Sequence, residues 1–310
     1  MIFKDGVTQK KEVGVIDWMS TLPPERQHAP LWDLAIPGSH DTMSYDLDIN
    51  SAIIGPTILT KFGKIRWVRK IVKKWGTTQE VNVTEQLDAG VRFLDLRVAH
   101  KPDDPDPTRT YFYHGLYTVT DVESALRDIN IWAENHSTEI LILALSHFKG
   151  FNRTVHNHLI SFIKGLFGQK LILKTDIPTL NRCWDLQRNV IVSYDADAEV
   201  RTHPELRGKI PYYYGDTMDP AKVKKQLSKD LKTAPSNKFF ACGLNLTLPE
   251  NASALKYILR WKSLFVVTLK NLPQLVMWVQ RQAQITDLNI VASDFVTQAN
   301  FISTIIQLNT

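Results

Sequence analysis

The sequence predicts an α/β protein folded as a single domain, and a (β/α)8 barrel is the simplest closure of its strands. Three observations favour this class. Apolar runs typical of buried strands alternate with stretches of helical periodicity along the chain. The 310 residues exceed the roughly 250 that such a barrel needs. Hydrophobic residues make up 44% of the sequence and charged residues 22%, which is enough apolar material for a large core.

Eight strands are predicted, each from a short apolar run bounded by turn residues. They cover residues 31–36, 91–98, 110–114, 139–146, 189–195, 210–215, 239–247 and 289–294. Clear 3.6-residue periodicity predicts helices at 121–136 and 272–283. Asn82 with Glu85, and Thr120 with Glu123, have the spacing of reciprocal capping pairs, so a helix is expected to begin at each place.

We expect an N-terminal segment at residues 1–16 and one barrel domain at 17–310, because no repeat, low-complexity tract or linker divides the chain. The first residues lack the apolar run of a signal peptide. No apolar stretch approaches the roughly 18 residues of a membrane span. The two cysteines, Cys183 and Cys242, lack CxxC spacing, which suits a reducing compartment. These features predict a soluble cytoplasmic protein without a transmembrane segment.

One segment is strongly basic, although the net charge of the chain is only +5. Residues 49–79 contain no acidic residue, and residues 58–75 combine apolar residues at helical spacing with two tryptophans and a run of lysines and arginines. Such a helix either packs in the fold with a solvated basic face or makes peripheral contact with an anionic membrane, and both alternatives stay open. Nucleic-acid binding is not predicted, because no matching motif accompanies the charge.

Polar side chains lie at the ends of several predicted strands, where the catalytic groups of such barrels lie. Two histidines, three aspartates and an arginine stand out. They are His40, Asp41, Asp95, Arg97, His114 and Asp294. Asp95 and Arg97 are two residues apart on one strand and should therefore point to the same face. Charges that project into a barrel interior need a partner or a function.

This set suits phosphoryl transfer. Two histidines can serve as base and acid in one turnover, and a carboxylate beside each one fixes its tautomer. A guanidinium matches the oxygens of a phosphate. Ordinary structural roles remain open for each residue taken singly: His40 could cap a loop, Asp95 and Arg97 could form a structural ion pair, and His114 could simply end a strand.

Five motifs, taken together, resemble a known family. They are "AIPGSHDTMSYDL" (35–47), "WGTTQ" (75–79), "EQLDAGVRFLDLRVAH" (85–100), "YFYHGLYT" (111–118) and "NIVASDFV" (289–296). In this order they resemble the X domain of phosphatidylinositol-specific phospholipase C. More narrowly, the chain resembles the intracellular, single-domain X-domain-containing proteins, and "DWMSTLP" (17–23) fits that group. The resemblance extends over residues 17–308 and implies a distorted TIM-type barrel, which agrees with the eight predicted strands.

The resemblance implies a role for each candidate. His40 matches the general base that deprotonates the inositol 2-hydroxyl, and His114 matches the general acid that protonates the departing diacylglycerol oxygen. Asp294 matches the carboxylate that partners the base, and Asp41 the one that partners the acid. Asp95 and Arg97 match the pair beside the phosphate. The implied reaction cleaves phosphatidylinositol-type lipids to diacylglycerol and a cyclic inositol phosphate, which water could then open.

The residue types also indicate whether the site would bind a metal ion. Family members that use Ca²⁺ hold it with an asparagine and acidic residues, because hard cations need several oxygen ligands. Here Asp41 stands in place of that asparagine, and Arg97 in place of an acidic residue. The resemblance therefore implies a calcium-independent reaction with no cofactor. The cationic residues that bind the head group in bacterial members are missing near Ser146 and Tyr194, so Tyr194 and Tyr214 are the predicted substrate contacts.

Two other functions stay open from the sequence. A catalytically weak inositol-phospholipid binding or scaffold protein is possible because the head-group cations are missing. A glycerophosphodiester phosphodiesterase would also be a barrel that uses histidines. That class needs a metal supported by glutamates soon after the first histidine, and none lies near His40.

Overall fold

A ten-stranded mixed sheet forms the centre of the fold. The computed structural model describes residues 15–55, 60–61, 63–249, 254–260 and 262–310. The strands are β1 (Ile36–Ser39), β2 (Ile53–Ile54), β3 (Phe93–His100), β4 (Thr110–Asp121), β5 (Leu141–Lys149), β6 (Val190–Tyr194), β7 (Leu206–Arg207), β8 (Tyr212–Tyr214), β9 (Ala241–Gly243) and β10 (Ile290–Ser293). Most of the predicted N-terminal segment, residues 1–14, lies outside the described residues.

Eight strands follow one another in the order β7-β6-β5-β3-β1-β10-β9-β8, and every neighbouring pair in this path is parallel. The other two strands depart from this pattern, because β4 pairs antiparallel with both β3 and β2. The predicted α/β class is therefore confirmed. Among the described residues no ladder joins β7 to β8, so these pairings do not close the sheet into the predicted (β/α)8 barrel.

The helices surround this sheet. They are α1 (Pro24–His28), α2 (Arg66–Gly76), α3 (Val83–Asp88), α4 (Val122–Asn135), α5 (Arg153–Phe167), α6 (Leu180–Asp185), α7 (Asp197–Thr202), α8 (Pro220–Asp230), α9 (Ala254–Arg260), α10 (Leu264–Gln282) and α11 (Phe301–Gln307). The periodic stretches at 121–136 and 272–283 fall in α4 and α10, as predicted. Among the described residues, no helix combines the length and apolar character needed to cross a bilayer.

One of the two predicted capping pairs is confirmed. Asn82 and Glu85 form a full capping box at the start of α3. The prediction at Thr120 was wrong by one residue, because Asp121 caps α4 and its carboxylate accepts hydrogen bonds from the Ser124 amide and hydroxyl. Thr120 belongs to β4, where its extended backbone continues the strand.

Two predicted strands are placed differently by the structure. The run predicted at 31–36 is mostly a 3₁₀ turn (Leu31–Asp33), and the strand itself begins at Ile36. The run predicted at 110–114 extends to Asp121 and is antiparallel. His114 therefore lies within a hairpin strand that flanks β3, and not at the end of a parallel strand. This correction decides how His114 approaches the site.

The core lies on both faces of the sheet. Side chains such as Ile36, Phe93 and Ile290 fill one side, and Trp18 and Leu31 pack against them. Alternate residues of the same strands point the other way, into a second cluster shared with the helices. Because apolar side chains close the amino-terminal end of the sheet, its carboxyl-terminal end is where polar groups accumulate.

Candidate active site

His40 and Asp294 are the first residues after two neighbouring strands, β1 and β10. Ser39 of β1 is in register with Ser293 of β10, and the His40 amide donates the next hydrogen bond, to the Ser293 carbonyl, at 3.1 Å. The residues that follow these two serines are therefore side by side. His40 Nδ1 lies 2.7 Å from Asp294 Oδ1, and both side chains are buried. This contact places the proton of neutral His40 on Nδ1 and leaves the Nε2 lone pair free.

Asp41 turns back toward the same cavity. Its backbone lies in the left-handed region, with φ of 43°, a conformation that aspartate tolerates better than most residues. Its amide donates to Asp95 Oδ2 at 3.1 Å, which holds this turn. As a result, Asp41 Oδ2 lies 3.1 Å from His40 Nε2 and 3.3 Å from His114 Nε2. One carboxylate oxygen thus faces the reactive nitrogens of both histidines.

Arg97 extends from β3 into the centre of this group. Its Nε lies 2.9 Å from Asp41 Oδ1 and 3.8 Å from Asp95 Oδ2, and its Nη2 donates to His40 Nε2 at 2.9 Å. Burial opposes the charged form, but Asp41 and Asp95 outweigh it and raise the pKa of Arg97 above its ordinary value. The guanidinium is therefore permanently cationic and directed at the space between the histidines.

His114 reaches the site from the antiparallel hairpin. Gly115, with φ of 73°, bends β4 directly after it. His114 Nδ1 donates to the Gly76 carbonyl at the end of α2, at 2.7 Å, so Nε2 is the atom that faces Asp41. The ring centroids of His40 and His114 are 5.9 Å apart. The two histidines thus face each other across a single carboxylate.

Neighbouring charged groups shift the pKa values of His40 and Asp41 in opposite directions. Burial disfavours the imidazolium form of His40, but Asp41 and Asp294 outweigh it, so its pKa is raised above the ordinary value. Burial alone would raise the pKa of Asp41; the cationic Arg97 and the two histidines reverse this effect and lower it. Asp41 is therefore a stable carboxylate, and His40 is a stronger base than an exposed histidine.

The predicted pairing is present, with one addition. His40 contacts Asp294, and Asp41 contacts His114, which are the two pairs that the family resemblance implies. The sequence did not predict that Asp41 also contacts His40 and Arg97. Asp41, Asp95, Arg97 and His114 line a common small cavity.

The two predicted substrate contacts lie in different surroundings. Tyr194 is fully buried, and its hydroxyl bonds to His156 Nδ1 at 2.8 Å while its ring stacks on Phe148. The structure therefore does not bring Tyr194 to the histidine cluster. Tyr214 is exposed and packs against Tyr212, whose ring centroid lies 5.9 Å from that of His40.

Sequence reasoning missed several residues that support or border the site. Tyr212 packs on His40, and its place two residues before Tyr214 on β8 was the available signal. Thr78 and Gln79 bond to the backbone of His40, and they belong to the "WGTTQ" motif. His147 follows Ser146 near Arg97, and burial together with that cation lowers its pKa. No sequence signal distinguished it from the other histidines.

Ligand atoms of His40, Asp41 and Asp95 lie within 4.8 Å of one another, a spacing that a metal ion could use. Arg97 contacts two of these three side chains at 2.9 Å, so a cation held there would lie against a guanidinium. Calcium prefers six to eight oxygen ligands, and this donor set offers few. The residues present do not fit a calcium ion.

These features define a class: an α/β protein with a histidine–aspartate–arginine site at the carboxyl ends of its parallel strands. The family model described as "PI-PLC X 1" matches residues 71–237. The chain belongs to the PI-PLC X domain family. It is 40% identical to "PI-PLC X domain-containing protein 1" of Danio rerio, over 90% of this chain and 91% of that protein. The human protein of the same name is 39% identical, over 94% and 92%.

Solved structures are similar to nearly the whole chain. The phosphatidylinositol-specific phospholipase C from Listeria monocytogenes superposes with a TM-score of 0.65, covering 96% of this chain and 100% of that one, at 21% sequence identity. A mutant of the phosphatidylinositol-specific phospholipase C from Staphylococcus aureus gives a TM-score of 0.62 at 15% identity, covering 96% and 97%. At these identities the similarity establishes a shared fold.

Proposed function

We propose that this protein is a phosphoric diester hydrolase or lyase that cleaves phosphatidylinositol-type lipids by metal-independent acid–base catalysis. The observation that carries the proposal is the placement of two histidines and Arg97 around one carboxylate, Asp41. Membership of the PI-PLC X family and the fold shared with phosphatidylinositol-specific phospholipases C support the substrate class.

His40 is the proposed general base. Asp294 holds its Nδ1 proton, so the Nε2 lone pair is available. The inositol 2-hydroxyl donates its proton to this nitrogen in place of the Arg97 N–H that occupies it now. The deprotonated oxygen attacks phosphorus, and the guanidinium, released from His40, binds the phosphate oxygens. Asp294 and Asp41 stabilise the imidazolium that forms.

His114 is the proposed general acid. Its Nδ1–H stays hydrogen-bonded to the Gly76 carbonyl, and the proton on Nε2, beside Asp41, passes to the diacylglycerol oxygen as the P–O bond breaks. The products are diacylglycerol and a 1,2-cyclic inositol phosphate. Water then opens the ring with the two histidines in exchanged roles, as microscopic reversibility requires.

Arg97 supplies the positive charge that a metal would otherwise provide. A guanidinium held in the site neutralises charge on the phosphate oxygens as phosphorus changes geometry. Its contact with Asp41 holds it in the site while the substrate hydroxyl replaces its N–H on His40. We therefore propose that the reaction needs no calcium.

The test is hydrolysis of a panel of inositol phospholipids with and without EDTA, reading both lipid and water-soluble products. Activity should persist in EDTA, and His40→Ala or His114→Ala should each lower kcat by about 10²–10⁴-fold. A double histidine variant that remains active would refute the mechanism. Activity that appears only with Ca²⁺ would refute the metal-free reaction.

We also propose peripheral membrane contact through residues 58–75, in keeping with cytoplasmic action on a lipid. In α2, Trp67 is 63% exposed beside the basic side chains, whereas Trp75 and Val72 are buried. Ile58 and Phe62 of this segment lie outside the described residues. Trp67→Ala should weaken binding to anionic vesicles in a sedimentation assay without changing turnover of a short-chain, water-soluble substrate.

An inositol-phospholipid binding or scaffold protein with little turnover is the second candidate. The burial of Tyr194 favours it, because it removes one of the two predicted substrate contacts. Lys209, a cation near His147, is already paired with Asp195 at 2.7 Å. Vesicle binding that survives His40→Ala, with no turnover by the unaltered protein, would select this candidate.

A further inference from the structure

The segment between α2 and α3 crosses directly beneath the two strands that carry His40 and Asp294. Its residues Thr78 and Gln79 are fully buried. The Thr78 hydroxyl donates to the His40 carbonyl at 2.9 Å, and the Thr78 carbonyl accepts from the Phe295 amide at 2.6 Å. This segment therefore contacts the backbone on both sides of the His40–Asp294 pair.

Gln79 makes the most extensive of these contacts. Its Nε2 donates to the His40 carbonyl and to the Ser293 carbonyl, each at 3.0 Å. Its Oε1 accepts from the Val296 amide at 3.2 Å. One amide thus bonds to the backbone of His40 and to the backbone on either side of Asp294. A side chain needs two donors and one acceptor to do this, and an amide has all three.

The regular ladder between β1 and β10 ends at this level. The last backbone hydrogen bond between these two strands runs from the His40 amide to the Ser293 carbonyl, and beyond it the Asp41 and Thr42 amides bond to Asp95 of β3. His40 and Asp294 nevertheless meet at 2.7 Å. The Gln79 amide lies where the missing ladder bonds would be.

We propose that Gln79 is a positioning residue that fixes the distance and orientation of the His40–Asp294 pair. It touches no reacting atom and acts through the backbone of the base and of its partner. The inference rests on the proposed function only for its effect on catalysis, since the geometry of the pair is a property of the free protein.

A matched control lies nearby. Gln86 is also fully buried, and its Nε2 donates to two backbone carbonyls, those of Thr42 and Val81. Gln79→Met and Gln86→Met each remove two donated hydrogen bonds from equally buried amides, and Gln79→Met also removes the bond accepted from the Val296 amide. After Gln79→Met the His40 carbonyl keeps the Thr78 hydroxyl, and the Ser293 carbonyl keeps the His40 amide. Both variants should fold, with the larger loss of thermal stability in Gln79→Met because the Val296 amide loses its acceptor.

The deciding measurement is the proton NMR signal of His40 Nδ1–H in free protein labelled at histidine nitrogens. A proton in a short bond to a carboxylate resonates far downfield, and Asp294→Asn identifies it by removing it. Gln79→Met should shift this signal upfield or broaden it, and Gln86→Met should leave it in place. In turnover assays Gln79→Met should lower kcat about 10–100-fold with KM unchanged, as loss of orientation predicts.

An unchanged signal in Gln79→Met, or an equal change in both variants, would overturn the inference even if activity fell. If Gln79→Met does not fold, Gln79→Asn replaces it, because an amide one methylene shorter cannot reach both carbonyls. A preparation without phosphodiesterase activity would count against the proposed function, and the NMR comparison would still decide the role of Gln79.

Discussion

Replacement of Asp294 by asparagine tests the base most directly. Asp294 is 1% exposed and lies 2.7 Å from His40 Nδ1, so solvent does not screen the contact. Asparagine keeps the shape and removes the charge. The imidazolium that forms when His40 takes a proton then loses its carboxylate partner, and the amide can also favour the wrong tautomer of the ring.

The size of the effect follows from the separation of the charges. Two unit charges about 4 Å apart interact by about 4 kcal/mol at an effective dielectric constant near 20. At 1.36 kcal/mol per factor of ten, this corresponds to a loss of about a thousandfold in rate. Because Asp294 is one of the groups that raise the pKa of His40, the acidic limb of the pH profile should also move to lower pH.

The assay is release of water-soluble inositol phosphate from phosphatidylinositol vesicles in EDTA across a pH series. Asp287→Asn is the matched control, since Asp287 is exposed on the loop before β10. It should leave kcat/KM within about threefold of the unaltered protein. If Asp294→Asn changes kcat/KM as little as the control does, and the acidic limb of the pH profile does not move, the assignment of Asp294 as partner of the base is refuted.

Four further predictions concern His40, Arg97 and Gly76. His40 must be neutral to accept a proton, and its raised pKa should place the acidic limb of kcat/KM above about pH 6.5; a limb below that value would contradict the shift. The same raised pKa should stabilise the fold at low pH and lose this contribution as pH rises through it, measurable as a fall in Tm that His40→Ala lacks. Arg97→Lys keeps the charge but not the planar donors, so kcat should fall about 10²–10³-fold in the vesicle assay, and full activity would exclude a bidentate role. In Gly76→Ala the new Cβ would lie 2.6 Å from the His114 carbonyl oxygen, which should displace α2, cost about 1–3 kcal/mol in urea unfolding and lower kcat, whereas Gly165→Ala, with open space around it, should not.

Sequence reasoning located the six candidate residues because each belongs to a short motif at or near the end of a strand. Residues two apart on a strand share a face, so Asp95 and Arg97 could be placed together without a structure. Relations of this kind within one strand do not depend on how the rest of the chain packs. The His40–Asp294 pair was expected only from the family resemblance, and the parallel register of β1 with β10 shows how the two residues come side by side.

Other features depended on contacts between distant segments. The antiparallel course of β4 was not visible in its apolar pattern, because alternation looks the same in either direction. Tyr194 was expected at the site because the family resemblance places it near a residue that binds the head group, yet its hydroxyl bonds to His156 on α5 and its ring stacks on Phe148. Burial of a side chain beneath a helix is decided by packing, which a resemblance between motifs does not show.

The sequence by itself determined the α/β class and the family and supplied the candidate site residues, since these follow from periodicity and from motif order. Only the tertiary structure decided that Asp41 is shared between His40 and His114, and that Gly76 and Gln79 hold the two histidines. The physical reason is that orientation in a buried site is fixed by hydrogen bonds to backbone carbonyls and amides. Nearly every residue carries these backbone groups, so the sequence does not show which of them will bond to a given side chain.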